Sequence, residues 1–152
     1  MEIKVEGKNK KYANYLKECY SGKSSDLTTF FLFKYEYILF NRIDNSFALN
    51  MNKLSSDSLS HLEIIGKMIY MLGEKPDLIP NNYVNQMFFD DKTTLLELNI
   101  RLTKEKIILY TNNLNRINDQ YIKETLGKFI LEERKNLKIL EIIQLKNKIA
   151  RI

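Results

Sequence analysis

Ser58-Leu59-Ser60-His61-Leu62-Glu63-Ile64-Ile65-Gly66-Lys67-Met68-Ile69 holds the single histidine of the chain and places it where a helix should be apolar. Reading outward, Leu54, Ser58, His61, Ile65, Met68 and Leu72 recur at alternating steps of four and three, the buried seam of a helix packed in a bundle. Ser58 and His61 interrupt that seam. Three residues apart, their side chains leave the helix on one face, one turn from each other.

Composition frames this reading. A chain of 152 residues suits one domain with a real core. Five Gly and two Pro, among abundant Leu, Ile, Lys, Glu and Asn, suit a mainly helical protein with few tight turns. The formal charge of +5 is spread over polar helix faces, with a mild concentration at Lys8-Asn9-Lys10-Lys11. Such a run reads as a solvated tail, and no nucleic-acid partner is expected. Cys19, standing alone, excludes an internal disulfide, fits a reducing compartment and reads as a small buried hydrophobe. The opening, Met1 to Lys11, is too polar for a secretory signal, and no apolar run approaches a membrane span. The expectation is a soluble cytoplasmic protein with no membrane partner.

In chain order, residues 1–11 read as a loose or extended tail and residues 12–149 as the folded domain. A short helix over Tyr12 to Tyr20 stops near Ser21-Gly22. The next helix takes Ser24 or Ser25 as N-cap and presents Phe30, Phe33, Tyr37 and Phe40; continued backward that row reaches Asp26, which reads either as an acid in the core-facing row or, taken alone more simply, as an acid that the helix dipole favours in the first turn. A linker over 41–46 leads to a long helix, about 47–73, ending at Gly73. The irregular stretch 74–91, with Pro76 and Pro80, is long enough to run the length of a bundle. A helix over about 93–113 carries Leu96, Ile100, Thr103, Ile107, Tyr110 and Leu114. The last begins near Gln120 with Leu126, Phe129, Glu133, Leu137 and Leu140, and with Asn136 beside them. Phe31, Tyr35 and Leu39, on a second apolar side of their helix, read as a dimer surface or a seat for the crossover.

Four helices thus carry polar defects in their seams: Asp26, then Ser58 with His61, then Thr103, then Glu133 with Asn136. That alternation of single and paired positions is the layout of di-metal carboxylate bundles, in which two helices give a Glu and two give Glu-x-x-His. Two divalent cations a few ångströms apart need bridging carboxylates and an imidazole each.

At these residues the chain resembles the rubrerythrin and manganese-catalase branch of the ferritin-like superfamily. Tyr20 through Thr28 is similar to that family's opening "YxGxxSELTA", His61-Leu62-Glu63-Ile64-Ile65-Gly66 to "HLEILG", and Asn99 through Tyr110 to "NIxxEKxAIxxY". Ile130-Leu131-Glu132-Glu133, followed by Leu137, resembles "ILDExxHxxxL". The resemblance implies an all-α, ferritin-like four-helix bundle, with a long crossover between the second and third bundle helices and a short extra N-terminal helix. It also implies a homo-oligomer, a dimer or larger.

Carried over by the resemblance, the ligand positions are Asp26, Ser58, His61, Thr103, Glu133 and Asn136. Of the residue types those positions require, His61 and Glu133 are kept, Asp26 is shortened by a methylene, and Ser58, Thr103 and Asn136 are vestigial. Asp26, His61 and Glu133 retain versions of three groups around one metal, and the second metal is left with little. The expectation is therefore a non-catalytic binding or structural protein without a cofactor, its polar residues forming a hydrogen-bonded layer. The alternative is an oxidoreductase of peroxidase, catalase or oxidase type with one Fe, Mn or Zn ion on Asp26, His61 and Glu133. No rubredoxin-like cysteine set accompanies the bundle.

Overall fold

Side-chain caps divide the chain into its helices. The computed structural model describes residues 2–78 and 84–150. Asn9 caps α1 (Lys10–Ser21) by accepting from the Tyr12 N–H at 3.0 Å. Ser25, one of the two expected caps, starts α2 (Asp26–Phe40) by accepting from the Thr28 N–H at 3.2 Å. Asp44 does the same for α3 (Asn45–Met71) and Asp91 for α4 (Lys92–Arg116), while the Asp119 carboxylate accepts from Tyr121 and Ile122 at the start of α5 (Gln120–Ala150). Each such bond satisfies an orphan N–H of the first turn. Replacing Ser25 by Ala is expected to lower stability by about 1 kcal/mol in chemical denaturation.

Gly73 closes α3. Its φ of +102° is the left-handed conformation a glycine adopts freely, and bonds from Gly73 N–H to the Tyr70 carbonyl and from Glu74 N–H to the Ile69 carbonyl complete the turn. Gly22 acts differently from the expected permissive cap. Its backbone is extended, with φ of −72°, and what the site requires is a missing Cβ, which would lie 2.6 Å from the Glu18 carbonyl oxygen.

The long helices pair as hairpins, α2 on α3 and α4 on α5, with α1 laid across one end against α3. Lys92, the first residue of α4, reaches Asp44, the cap of α3, at 2.5 Å. Those two helices therefore begin at the same end of the bundle. The connection between them must return along its length, and the structure is an all-α four-helix bundle with a long crossover. A 3-10 turn, Val84–Met87, buries Val84 and Met87 beneath that crossover. Tyr35 of α2 holds it from the other side: its ring lies 4.6 Å from Phe88 and its hydroxyl donates to the Phe89 carbonyl at 2.8 Å. Of the expected surface residues Phe31, Tyr35 and Leu39, Tyr35 seats the crossover. Pro80 falls outside the described residues. Residues 2–9 are not helical, yet Ile3 and Val5 pack on the core.

The row of α2 facing the core differs from the expected one. Asp26, Thr29, Phe33, Glu36 and Phe40 are buried, whereas Phe30 and Tyr37 are only partly so. Aromatic residues drew the expected row one position round the helix, and the polar residues displaced from it, Thr29 and Glu36, are buried because they have partners. Glu36 Oε1 accepts from Asn99 Nδ2 at 2.7 Å. Glu36 Oε2 and Asn99 Oδ1 are left without partners in that arrangement. A protonated Glu36 offers a donor and an acceptor, the complement of the acceptor and donor of the Asn99 amide. Burial supplies that proton by pushing the Glu36 pKa up to about 8, against the smaller opposing effect of the Asn99 hydrogen bond.

Candidate functional site

The core consists of two apolar clusters, one built on α1 with Leu62, Ile65, Tyr110 and Phe129, the other containing Phe33, Leu54, Leu102 and Leu140. Between them lies a polar layer. α2 contributes Asp26 and Thr29, α3 Ser58 and His61, α4 Lys106 and Tyr110, and α5 Glu133, all buried. Asp26, His61 and Glu133 each offer a ligand atom, and those atoms lie within 4.8 Å of one another.

Lys106 occupies the centre of the layer. Its side chain is 1 % exposed, and its ammonium stands 3.2 Å from Asp26 Oδ1 and 3.4 Å from Glu133 Oε1. It donates to Thr29 Oγ1 at 2.7 Å and to Ser58 Oγ at 3.2 Å, and those two hydroxyls are themselves 2.9 Å apart. Burial alone would pull the lysine pKa down, but Glu133 and Asp26 outweigh it and raise it above the ordinary value. The group is a cation.

His61 is held from both ring nitrogens. Nδ1 lies 3.3 Å from Glu133 Oε1 and 3.7 Å from Asp26 Oδ1, and Nε2 lies 2.5 Å from the exposed carboxylate of Glu132. Phe129 stacks on the ring, centroids 3.9 Å apart. Burial disfavours the imidazolium, but hydrogen bonds to Asp26 and Glu133 reverse this and raise the pKa to about 10. With a carboxylate at each nitrogen, the doubly protonated ring satisfies both.

Asp26 receives the Tyr110 hydroxyl on both oxygens, at 2.7 and 2.6 Å. Burial raises its pKa, yet Lys106 and His61 overcome that and hold it below the usual carboxylate range. Tyr110 moves the other way, well above its ordinary value, from burial beside Asp26. The inner carboxylates Asp26 and Glu133 thus face two cations, His61 and Lys106, and the layer is balanced in charge by protein groups alone.

Ser58 joins this layer, but Thr103 and Asn136 do not. Thr103 Oγ1 turns back to the Asn99 carbonyl of its own helix at 2.8 Å. Asn136, although buried, donates to Asp57 at 3.3 Å and accepts from Lys53 at 3.5 Å, away from the centre. Cys19, with its thiol pushed up to about 12, chiefly by burial, accepts from Asn113 at 3.0 Å. It lacks the thiolate character of a nucleophile.

Sequence reasoning missed Lys106, Thr29 and Glu132. A lysine is ordinarily assigned to the solvated face, but Lys106 lies three residues after Thr103 and four before Tyr110, on their face of the helix, at a position to which "NIxxEKxAIxxY" gives alanine.

No protein-family model matches the sequence, and no curated protein matches it. Solved structures do. A manganese catalase, KatB from Anabaena PCC7120, superimposes with a TM-score of 0.81 at 17 % identity, over 92 % of this chain and 74 % of its own. A bacterioferritin from Rhodobacter capsulatus, described with a metal-free dinuclear site and a heme iron, superimposes with a TM-score of 0.82 at 16 % identity, over 93 % of this chain and 88 % of its own. The fold is ferritin-like. Within that ferritin-like bundle Lys106 sits at the middle of the polar layer, between α2, α3 and α5. Among the described residues, no helix of the ferritin-like bundle is long and apolar enough to cross a membrane.

Proposed function

We propose that this ferritin-like protein is a non-catalytic binding or structural protein, and that the Lys106 ammonium takes the role a metal cation plays between facing carboxylates. The observation that carries this reading is the position of Nζ, within 3.2 to 3.4 Å of both Asp26 and Glu133 and further held by two hydroxyls. A divalent ion bridging those carboxylates would need the same space and would face a like charge there. The remaining donors do not suit a metal pair, since Thr103 and Asn136 are bonded elsewhere. The bacterioferritin similar to this chain was itself described with a metal-free dinuclear site. Exposed apolar residues on the outer face of α2 and α3, among them Phe31, Leu59 and Met71, support assembly with copies of the same chain, and the free thiol of Cys19 supports a reducing compartment such as the cytoplasm.

A second reading rests on the convergence of Asp26, His61 and Glu133. One Fe, Mn or Zn ion there would serve an oxidoreductase, provided Lys106 withdrew and His61 gave up the proton on its coordinating nitrogen. Elemental analysis of untagged protein, before and after loading with Fe(II), Mn(II) and Zn(II), separates the two. Less than about 0.1 metal per chain is the expected result, since protein cations already satisfy the carboxylates. Stoichiometry near one, abolished by His61→Ala, would overturn the metal-free reading in favour of the single-metal one.

A further inference from the structure

The second half of α5 is apolar on two sides. Leu137, Leu140 and Ile143 pack on the core and account for one of them. On the other, Ile142, Leu145 and Ile149 stand 54, 59 and 61 % exposed. Steps of three and four place these three in a single row, about half a turn round the helix from the buried Leu140. Exposed aliphatic residues scattered singly are ordinary, whereas a contiguous row on the outside of a helix marks a contact surface.

Cations border the row. Arg134, Lys135, Lys138, Lys146 and Lys148 are all exposed, and at about 3.6 residues per turn they share with the aliphatic row an arc of about 160°. Between residues 134 and 150 Glu141 is the only acid. Elsewhere on the surface such cations meet carboxylates, as Lys53 meets Asp57 and Arg101 meets Glu105. Among the described residues none of these five is engaged in an ion pair or a hydrogen bond. The acids that share a hollow with Lys135 or Lys146, namely Glu132, Asp57 and Asp44, are turned to His61, Lys53 and Lys92.

Whatever covers this face has to be anionic and apolar at once. A second copy of the chain laid on it would set cations against cations. A nucleic acid would engage the cations but leave the aliphatic row against phosphates, where its burial gains nothing. A bilayer of anionic lipid meets both demands. The row enters the boundary between headgroups and acyl chains, while the lysine and arginine stems bend outward to the phosphates. Since no helix among the described residues is long and apolar enough to cross a membrane, the contact is that of a helix lying along the surface.

We infer that the outer stripe of α5 docks on an anionic membrane surface, with Ile142, Leu145 and Ile149 inserted and the five cations on lipid phosphates. The inference goes beyond the binding or structural role proposed above, and depends neither on metal nor on self-assembly.

Flotation of the full chain with phospholipid vesicles tests it, with far-UV circular dichroism to confirm that each variant is folded. Vesicles of phosphatidylcholine mixed with phosphatidylglycerol should carry the protein at least about tenfold better than phosphatidylcholine alone, and added salt should release it. The triple variant Ile142→Ser, Leu145→Ser, Ile149→Ser should lose at least about tenfold in partition, as should Lys135→Glu combined with Lys138→Glu. Glu141→Lys removes the one acid of the stripe and should bind more tightly than the wild type. Protein that floats with neither vesicle, or equally with both, would overturn the inference. So would a triple variant that floats as the wild type does, or binding to duplex DNA that is as tight as to vesicles and survives the triple substitution, since either would make the stripe a purely charged surface for a soluble polyanion. Sedimentation equilibrium without lipid covers the remaining occupant: a wild-type dimer abolished by the triple substitution would assign the row to a second copy instead. None of these failures touches the metal-free reading, because Lys106 and its partners lie inside the bundle.

Discussion

Lys106→Ala is expected to lower the thermal midpoint by about 10 °C at pH 7. Removing one partner of a buried ionic group typically costs about 3 to 5 kcal/mol, and in a domain of this size each kcal/mol shifts the midpoint by about 2 to 4 °C. The variant loses the ammonium that faces Asp26 and Glu133 at 3.2 and 3.4 Å and leaves Thr29 and Ser58 without their shared donor. Two further outcomes separate a charge effect from the loss of packing. Lowering the pH toward the range where buried carboxylates take up protons should narrow the gap between variant and wild type, because protonation relieves the uncompensated charge. Zn(II) or Mn(II) should raise the midpoint of the variant and leave that of the wild type unchanged, since only the variant has room for a cation among Asp26, His61 and Glu133. A variant that melts with the wild type, or a wild type equally stabilised by metal, would remove Lys106 from the central role given to it here.

Glu36→Gln should stabilise the protein, increasingly so with pH. The sign follows from proton counts. In the unfolded chain Glu36 loses its proton near the ordinary value of 4.5, whereas in the folded chain it keeps it to about 8. Between those values the folded state binds the extra proton, so rising pH favours unfolding, by at most about 1.4 kcal/mol per unit from this group. Below the window both forms are neutral and the substitution is nearly silent; above it the advantage of the amide levels off at several kcal/mol by the same conversion. The amide also offers Asn99 one donor and one acceptor, which is what the neutral acid offers. His61 contributes a slope of its own, because its pKa, raised from 6.5 to about 10, gives stability that is full below 6.5 and is lost as pH rises through 10. The quantity to measure is therefore the difference between the denaturation profiles of variant and wild type across pH 4 to 9, in which the His61 contribution cancels. A flat difference would mean that Glu36 is ionised when folded.

Periodicity carried most of the fold. The α3 seam, from Leu54 through Ser58, His61, Ile65 and Met68 to Leu72, is buried at every position, because a long helix packed on several others leaves no ambiguity about its inner face. α2 was harder. It is apolar on nearly all sides, so periodicity could not distinguish the row of Phe30 and Tyr37 from that of Thr29 and Glu36, and the partners that decide it, Lys106 and Asn99, lie some seventy residues away in sequence. The candidate site divides in the same way. His61 and Glu133 were legible as polar defects in apolar rows, Asp26 only beside them because alone it reads as a first-turn acid, and the structure brings the three together. Lys106 was not, because a residue type that nearly always faces water is read as facing water, and its burial follows from two carboxylates on other helices. The turning away of Thr103 and Asn136 was equally hidden, since Thr103 bonds back to its own helix and the partners of Asn136, Asp57 and Lys53, lie about eighty residues away in sequence.

The contact between His61 Nε2 and Glu132 has a kinetic consequence. Glu132 is 54 % exposed, while the imidazole it touches is 1 % exposed. Lys106, Glu133, His61 and Glu132 therefore form a relay from the innermost ammonium to bulk water, each link within 3.4 Å of the next. The buried cation is therefore joined to the surface by polar side chains alone, with no gap between helices needed to connect them. Truncating Glu132 removes the outer link of that chain, and the inner charges are then expected to exchange protons with solvent only by transient opening of the bundle.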